Sequence, residues 1–78
     1  MIYVYAIRSV ISNYIYVGQT KNIENRLDRH NKGYERTTKH YKPFVLIHKE
    51  VFENRVLARE REKYYKSGIG KEFLKSLI

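Results

Sequence analysis

Five side chains in this sequence are of types that handle protons and anions: Tyr5, Tyr16, Arg26, His30 and Glu62. Phenols can orient or activate a water, a guanidinium can fork onto an anion, and an imidazole titrates near neutrality. Glu62 is the most telling of the five. The stretch Asn54 to Ser67 reads as a helix, and Ala58, Glu62 and Tyr65 then share one face at i, i+4 and i+7. A carboxylate between an alanine and a tyrosine on an inward stripe costs desolvation free energy unless something compensates it. A metal ion would do so. Ordinary pairing with Arg59 or Lys66 on a solvated face would do so as well.

The elements that must position these groups follow from periodicity and punctuation. Ile2 to Ser9 is predicted as a strand, Tyr14 to Thr20 as a second, with Val10 to Asn13 closing a hairpin. Counting by twos puts Tyr3, Tyr5 and Ile7 on one face, against Ile2, Val4 and Ala6 on the other. Tyr14, Tyr16 and Gly18 share a face of the second strand, opposite Ile15 and Val17. Tyr5 and Tyr16 therefore lie on one side of the hairpin, as a sheet-stabilising aromatic pair or as part of a site. Asn22 is a suitable N-cap for a helix over Ile23 to Lys32, and Gly33 stops it. Arg26 and His30, one turn apart, project together from that helix. They form either a solvated edge or a fixed cation beside a group titrating at about 6.5.

Tyr34 to Lys42 reads as an exposed loop in which Arg36, Lys39 and Lys42 alternate with Thr37, Thr38 and Tyr41. That mixture suits phosphate contacts and solvation equally. After Pro43 a third strand runs from Phe44 to Phe52, with Val45, Ile47 and Val51 on one face. The long helix ends at Ser67-Gly68, and a short one over Lys71 to Leu77 docks Phe73, Leu74 and Leu77. The order β-β-α-β-α-α predicts an α+β fold, a small three-stranded, mainly antiparallel sheet flanked by helices.

Seventy-eight residues suffice for a single domain with one small core, in which eight tyrosines and three phenylalanines serve both packing and chemistry. The chain has no cysteine, so disulfide frameworks and thiolate metal sites are excluded, which fits a cytoplasmic location. Met1 to Ser9 has no signal-peptide character, and no apolar run is long enough to span a membrane. Sixteen Lys and Arg against eight Asp and Glu leave a net charge of +8, which points to a polyanionic partner, nucleic acid first. The positive charge is scattered, with no basic amphipathic segment of the membrane-surface kind.

Taken in order, the motifs resemble the GIY-YIG nuclease family. Its two signature tripeptides correspond here to Tyr3-Val4-Tyr5 and Tyr16-Val17-Gly18. Thr20 follows, then Arg26-Leu27-x-x-His30-Asn31 and Gly33, then Thr38, Pro43, Arg61-Glu62-Lys63 and Gly70-Lys71-Glu72-Phe73-Leu74. The resemblance spans essentially the whole chain, which is especially similar to small stand-alone bacterial members of UvrC-like type. Tyr3 replaces the first glycine of the family motif, valines replace both central isoleucines, and the family's late asparagine has no counterpart.

The resemblance implies a metal-dependent DNA endonuclease, structure-selective or weakly sequence-specific, in repair or recombination. It implies one Mg²⁺, replaceable by Mn²⁺, held by Glu62 and completed by water and phosphate oxygens. Tyr5 would activate the attacking water, with Arg26 lowering its pKa from the ordinary value of about 10. Tyr16 would orient water or phosphate, Arg26 would grip the scissile phosphate, and His30 would relay a proton or bond a phosphate. Arg8, Lys21, Arg36, Lys39 and Lys42 are candidates for backbone contacts, with steep salt dependence as their signature. The alternatives are a nucleic-acid-binding module of the same fold with weak or no catalysis, and a protein-interaction scaffold.

Overall fold

The computed structural model describes residues 1–78. Strands β1 (Ile2–Ser9), β2 (Ile15–Thr20) and β3 (Phe44–Phe52) form one antiparallel sheet in the order β2-β1-β3. Helix α1 (Ile23–Asn31) covers one face; α2 (Arg55–Lys66) and α3 (Gly68–Lys75) cover the other. A single turn of 3-10 helix, Lys39–Tyr41, precedes β3. No helix is long and apolar enough to cross a membrane.

Capping fixes where the helices begin. Asn22 accepts the Asn25 amide at 3.0 Å, and Asn54 accepts the Leu57 amide at 3.0 Å, so each asparagine satisfies one of the unpaired donors of its helix. Asn31 then ties the end of α1 to the start of β3: it accepts from the Phe44 amide at 2.6 Å and donates to the Phe44 carbonyl at 3.2 Å.

The alternation along β1 splits the core into two clusters. Ile2, Val4 and Ala6 meet Val17, Ala58, Tyr65 and Leu74 under α2 and α3. Tyr5 and Ile7 meet Phe44 under α1, with Tyr14, Tyr16, Ile23, Leu27 and Leu46 around them. The expected face of β3 does not hold. The register against β1 slips between Ala6 and Ile7, which pair with His48 and Leu46, leaving Ile47 as an extra residue. A bulge of one residue reverses which side chains point where. Val51 lies opposite Tyr3 and Val45 opposite Arg8, on different faces, and both are exposed. Phe44 and Leu46 pack towards α1 instead, and Phe52 and Ile47 towards α2.

The last helix also departs from its expected bounds, starting three residues earlier, at Gly68. Gly70 explains the join: a Cβ there would stand 2.0 Å from the Tyr64 carbonyl oxygen, so only glycine lets α3 cross the end of α2 this closely. Leu74 is fully buried, while Phe73 and Leu77 remain partly exposed.

Candidate functional site

On the α1 face the structure brings Tyr5, Tyr16 and His30 together. Tyr5 lies directly opposite Gly18 in the hairpin and Tyr16 opposite Ile7, so the two tyrosines are diagonal neighbours with ring centroids 6.2 Å apart. Gly18 makes the room: a Cβ there would come within 2.9 Å of both Tyr5 Oη and the Tyr16 ring. The His30 ring stands 6.0 Å from Tyr5 and 5.0 Å from Tyr16.

A buried hydrogen-bond chain joins three elements. Tyr5 Oη is 2.9 Å from His30 Nε2, and His30 Nδ1 is 2.7 Å from Thr38 Oγ1. Tyr5, His30 and Thr38 are all essentially inaccessible to water. The Thr38 hydroxyl is directed at the Glu35 carbonyl, 3.5 Å away. That leaves Thr38 to accept from Nδ1–H, which makes Nε2 the lone-pair nitrogen and Tyr5 the donor to it. Thr38 therefore does not belong to a solvated loop; it sets the histidine tautomer. A buried histidine needs a partner for each nitrogen; Thr38 stands among the family-like positions, but Thr37-Thr38-Lys39 by itself does not show that it turns inward.

Arg26 borders this chain. Its Nε is buried without a partner, and one terminal nitrogen lies 3.6 Å from Glu35, which Arg29 also pairs at 3.0 Å. The bond from Arg29 holds the Glu35 carboxyl below its usual range. Burial, reinforced by Tyr16, pushes the Tyr5 phenol up to about 12. Arg26 works the other way but does not prevail, so the expectation that it would make Tyr5 a stronger acid fails on desolvation. Burial first, and the Arg26 cation second, hold His30 below its ordinary value. At neutral pH the site therefore contains an intact phenol, a neutral imidazole and a fixed guanidinium.

Glu62 reaches the same strand from the other side. It accepts from Gln19 Nε2 at 2.9 Å and pairs with Lys66 at 2.8 Å, in a side chain only 18% exposed. Gln19 Oε1 accepts in turn from Arg55 at 3.1 Å. Gln19 follows Gly18, so Glu62 and the Tyr5–Tyr16 pair flank adjacent residues of β2 from opposite faces. No group of three His, Cys, Asp or Glu residues is placed to hold a metal ion. The Glu62 carboxylate alone still fits Mg²⁺, which takes few protein ligands and keeps its waters. Lys66 must give way for that to occur.

The outlying basic residues divide. Arg36, Lys39 and Lys42 are exposed around the 3-10 turn, beyond Thr38. Lys21 lines a groove of about 520 Å³ with Tyr3 and Lys49, on the Tyr5 face of β1. Arg8 alternates to the opposite face, half-buried, with its Nε unpartnered.

Comparison with known proteins gives a consistent result. The GIY-YIG catalytic domain family matches residues 1–73. A UPF0213 protein of Staphylococcus haemolyticus is 34% identical over 76 residues, covering 96% of this chain and 92% of the relative. A UPF0213 protein of Pediococcus pentosaceus is 40% identical over 65 residues, covering 82% and 67%. The solution NMR structure of a UPF0213 protein from Bacillus halodurans superposes with a TM-score of 0.57 at 30% identity, covering 99% of this chain and 85% of that one. The family match takes in both faces of the sheet and every candidate residue from Tyr3 to Glu62, and the chain belongs to the GIY-YIG family, alongside the UPF0213 proteins.

Proposed function

We propose that this protein is a metal-dependent endonuclease that hydrolyses phosphodiester bonds in DNA, with structure-selective or weak sequence preference, in repair or recombination in the cytoplasm. The observation that carries the reading is the buried Tyr5–His30–Thr38 chain beside an Arg26 whose Nε has no partner. A scissile phosphate would satisfy that donor and give the Arg26 guanidinium an anion to hold.

In the proposed step a water oxygen attacks phosphorus and gives its proton to Tyr5 Oη, while Tyr5 passes its own proton to His30 Nε2. A phenol titrating at about 12 is too poor an acid to ionise in advance, so it acts as a conduit and His30 as the terminal acceptor. Arg26 holds the non-bridging oxygens, and the negative phosphate offsets the imidazolium forming nearby. The P–O3′ bond breaks, leaving a 5′-phosphate and a 3′-hydroxyl after protonation by solvent. A divalent ion bound at Glu62, Mg²⁺ or Mn²⁺, would neutralise charge on the phosphate and leaving oxygen. Arg36, Lys39, Lys42 and Lys21 would position the DNA backbone without reading its bases.

One observation favours a second reading, a nucleic-acid-binding module with little catalysis: both Glu62 oxygens are already engaged, by Gln19 and Lys66. Supercoiled-plasmid nicking in Mg²⁺, Mn²⁺ and EDTA, beside Glu62→Gln prepared identically, separates the two. Metal-dependent nicking lost in Glu62→Gln supports the nuclease. DNA binding in EDTA with no nicking in either metal supports the module.

A further inference from the structure

Helix α2 turns one face along the free edge of β2. Arg55, Arg59, Glu62 and Lys66 share that face at i, i+4, i+7 and i+11. Two of them reach Gln19 of β2, Arg55 at 3.1 Å and Glu62 at 2.9 Å, which fixes the direction of the row. Helix α3 continues it. Lys71 and Lys75, one turn apart, join Lys66 around a groove of about 570 Å³ between β2 and the two helices. Glu62 is the only acid among these six residues. Little of the positive charge is balanced: Arg59 and Lys71 pair with no carboxylate, Arg55 meets an amide, and Lys75 stands 3.8 Å from Glu72. The exposed cations of α1 behave differently, with Arg29 3.0 Å from Glu35 and Lys32 2.9 Å from Asp28.

We infer that this row is a phosphate track, holding the DNA backbone on one side of the cleaved bond, across the sheet from Arg26 and His30. The inference rests on the nucleic-acid reading above and adds to it a contact surface separate from Lys21, Arg36, Lys39 and Lys42. Evenly repeated anions suit it. The row runs about 16 Å from Arg55 to Lys66, and phosphates recur about every 3.4 Å of duplex axis along one strand. The groove offers charge and no open ring faces: Tyr14 stacks on Tyr41, Tyr16 packs on Tyr5 and His30, and Tyr65 is buried. Contacts of this kind position a backbone and read no bases. The outer edge of β2 carries no partner strand, so DNA can pass over it, from Tyr16 and Arg26 on one face to Glu62 and the lysines on the other. The cleaved bond then has held phosphates on both sides, which favours an internal cut over trimming at a chain end.

The test uses binding without cleavage. A short mixed-sequence DNA duplex is titrated into the full chain in EDTA at several salt concentrations. Arg59→Gln combined with Lys71→Gln removes two cations that have no carboxylate partner. The slope of log affinity against log salt should become shallower by about two, because each lost phosphate contact releases one counterion fewer. Lys32→Gln combined with Lys49→Gln removes the same charge from the end of α1 and from β3, the strand farthest from β2, and should move the slope by less than about half a unit. Amide proton–nitrogen spectra should shift at Arg59, Lys71 and Lys75 as the duplex is added. Equal slope changes in the two double variants, or shifts confined to the α1 face, would overturn the inference. So would track residues that respond to a glutamate-rich peptide and not to the duplex. A duplex that fails to bind even at low salt would overturn the inference and the nucleic-acid reading together. Glu62-dependent plasmid nicking with an unchanged slope in the Arg59–Lys71 variant would sink the track alone and leave the nuclease reading standing.

Discussion

Two tyrosine–histidine pairs sit back to back across the same sheet, and they are alike in nearly every local measure. Tyr5 and Tyr65 are each 1% exposed, each is pushed up to about 12, and each hydroxyl meets a histidine Nε2, at 2.9 and 3.0 Å. Their surroundings differ in whether charge is balanced. Tyr65 also donates to Glu50, which His48 contacts at 2.8 Å and Arg61 pairs at 3.0 Å, with the Arg61 guanidinium 4.8 Å above the Tyr65 ring. Burial works to raise the Glu50 carboxyl, but these bonds together bring it below its ordinary range. Every charge in that cluster has its counterpart, and the cluster ties β3 to α2. The Tyr5 pair has a cation and no facing carboxylate of its own beyond the shared Glu35, and a buried donor is left over. The same two side-chain types therefore make a charge-balanced clasp on one face and stand beside an unpartnered Arg26 Nε on the other.

Breaking the open pair should damage chemistry, and breaking the closed one should damage stability. The largest effect is expected from Arg26→Ala, which removes the proposed phosphate grip: nicking should fall by about 100- to 1,000-fold with thermal midpoint little changed. Glu50→Ala should show the reverse. It strands Tyr65, His48 and Arg61, and urea denaturation should register a loss of about 1–3 kcal/mol while nicking per folded molecule persists. Thr38→Val takes the partner from His30 Nδ1 and frees the wrong tautomer to form; single-turnover nicking should slow by about tenfold, and Thr38→Ser should restore most of it.

The smallest effect is on pH dependence. Because the folded His30 pKa lies below its unfolded value of about 6.5, the unfolded chain binds the extra proton more readily, so stability is full above that pH and declines beneath it. The acid limb of nicking should likewise fall below 6.5, and His30→Asn should flatten both slopes. Glu35 and Glu50, held below the carboxyl value of 4.5, add their own loss only under that pH, which separates the two windows.

Much of this was legible in the residues. The shared face of Tyr5 and Tyr16 followed from strict alternation, and the Asn22 cap from its position before a periodic run. What escaped has a physical cause in each case. The β3 bulge inserts one residue within Leu46-Ile47-His48, where no glycine or proline marks it, so counting by twos carried the wrong face past it. Gly68-Ile69-Gly70 looks like a helix stop but is a close crossing in which backbone contact replaces propensity. The inward stripe of α2 was readable, yet helical period says nothing about which side of a sheet the helix will cover. Glu62 accordingly arrives at β2 from the face opposite Tyr5. The sign of the Tyr5 shift was missed because charge is visible in a sequence and depth of burial is not.

The contrast between the two pairs is tested most directly by comparing Tyr5→Phe with Tyr65→Phe. Plasmid nicking in Mg²⁺ and urea stability would be measured on the same preparations. The account requires that Tyr5→Phe lose at least about 100-fold in nicking while remaining folded, and that Tyr65→Phe lose stability but keep its rate per folded molecule. Equal loss of nicking in both, or full activity in Tyr5→Phe, would contradict it.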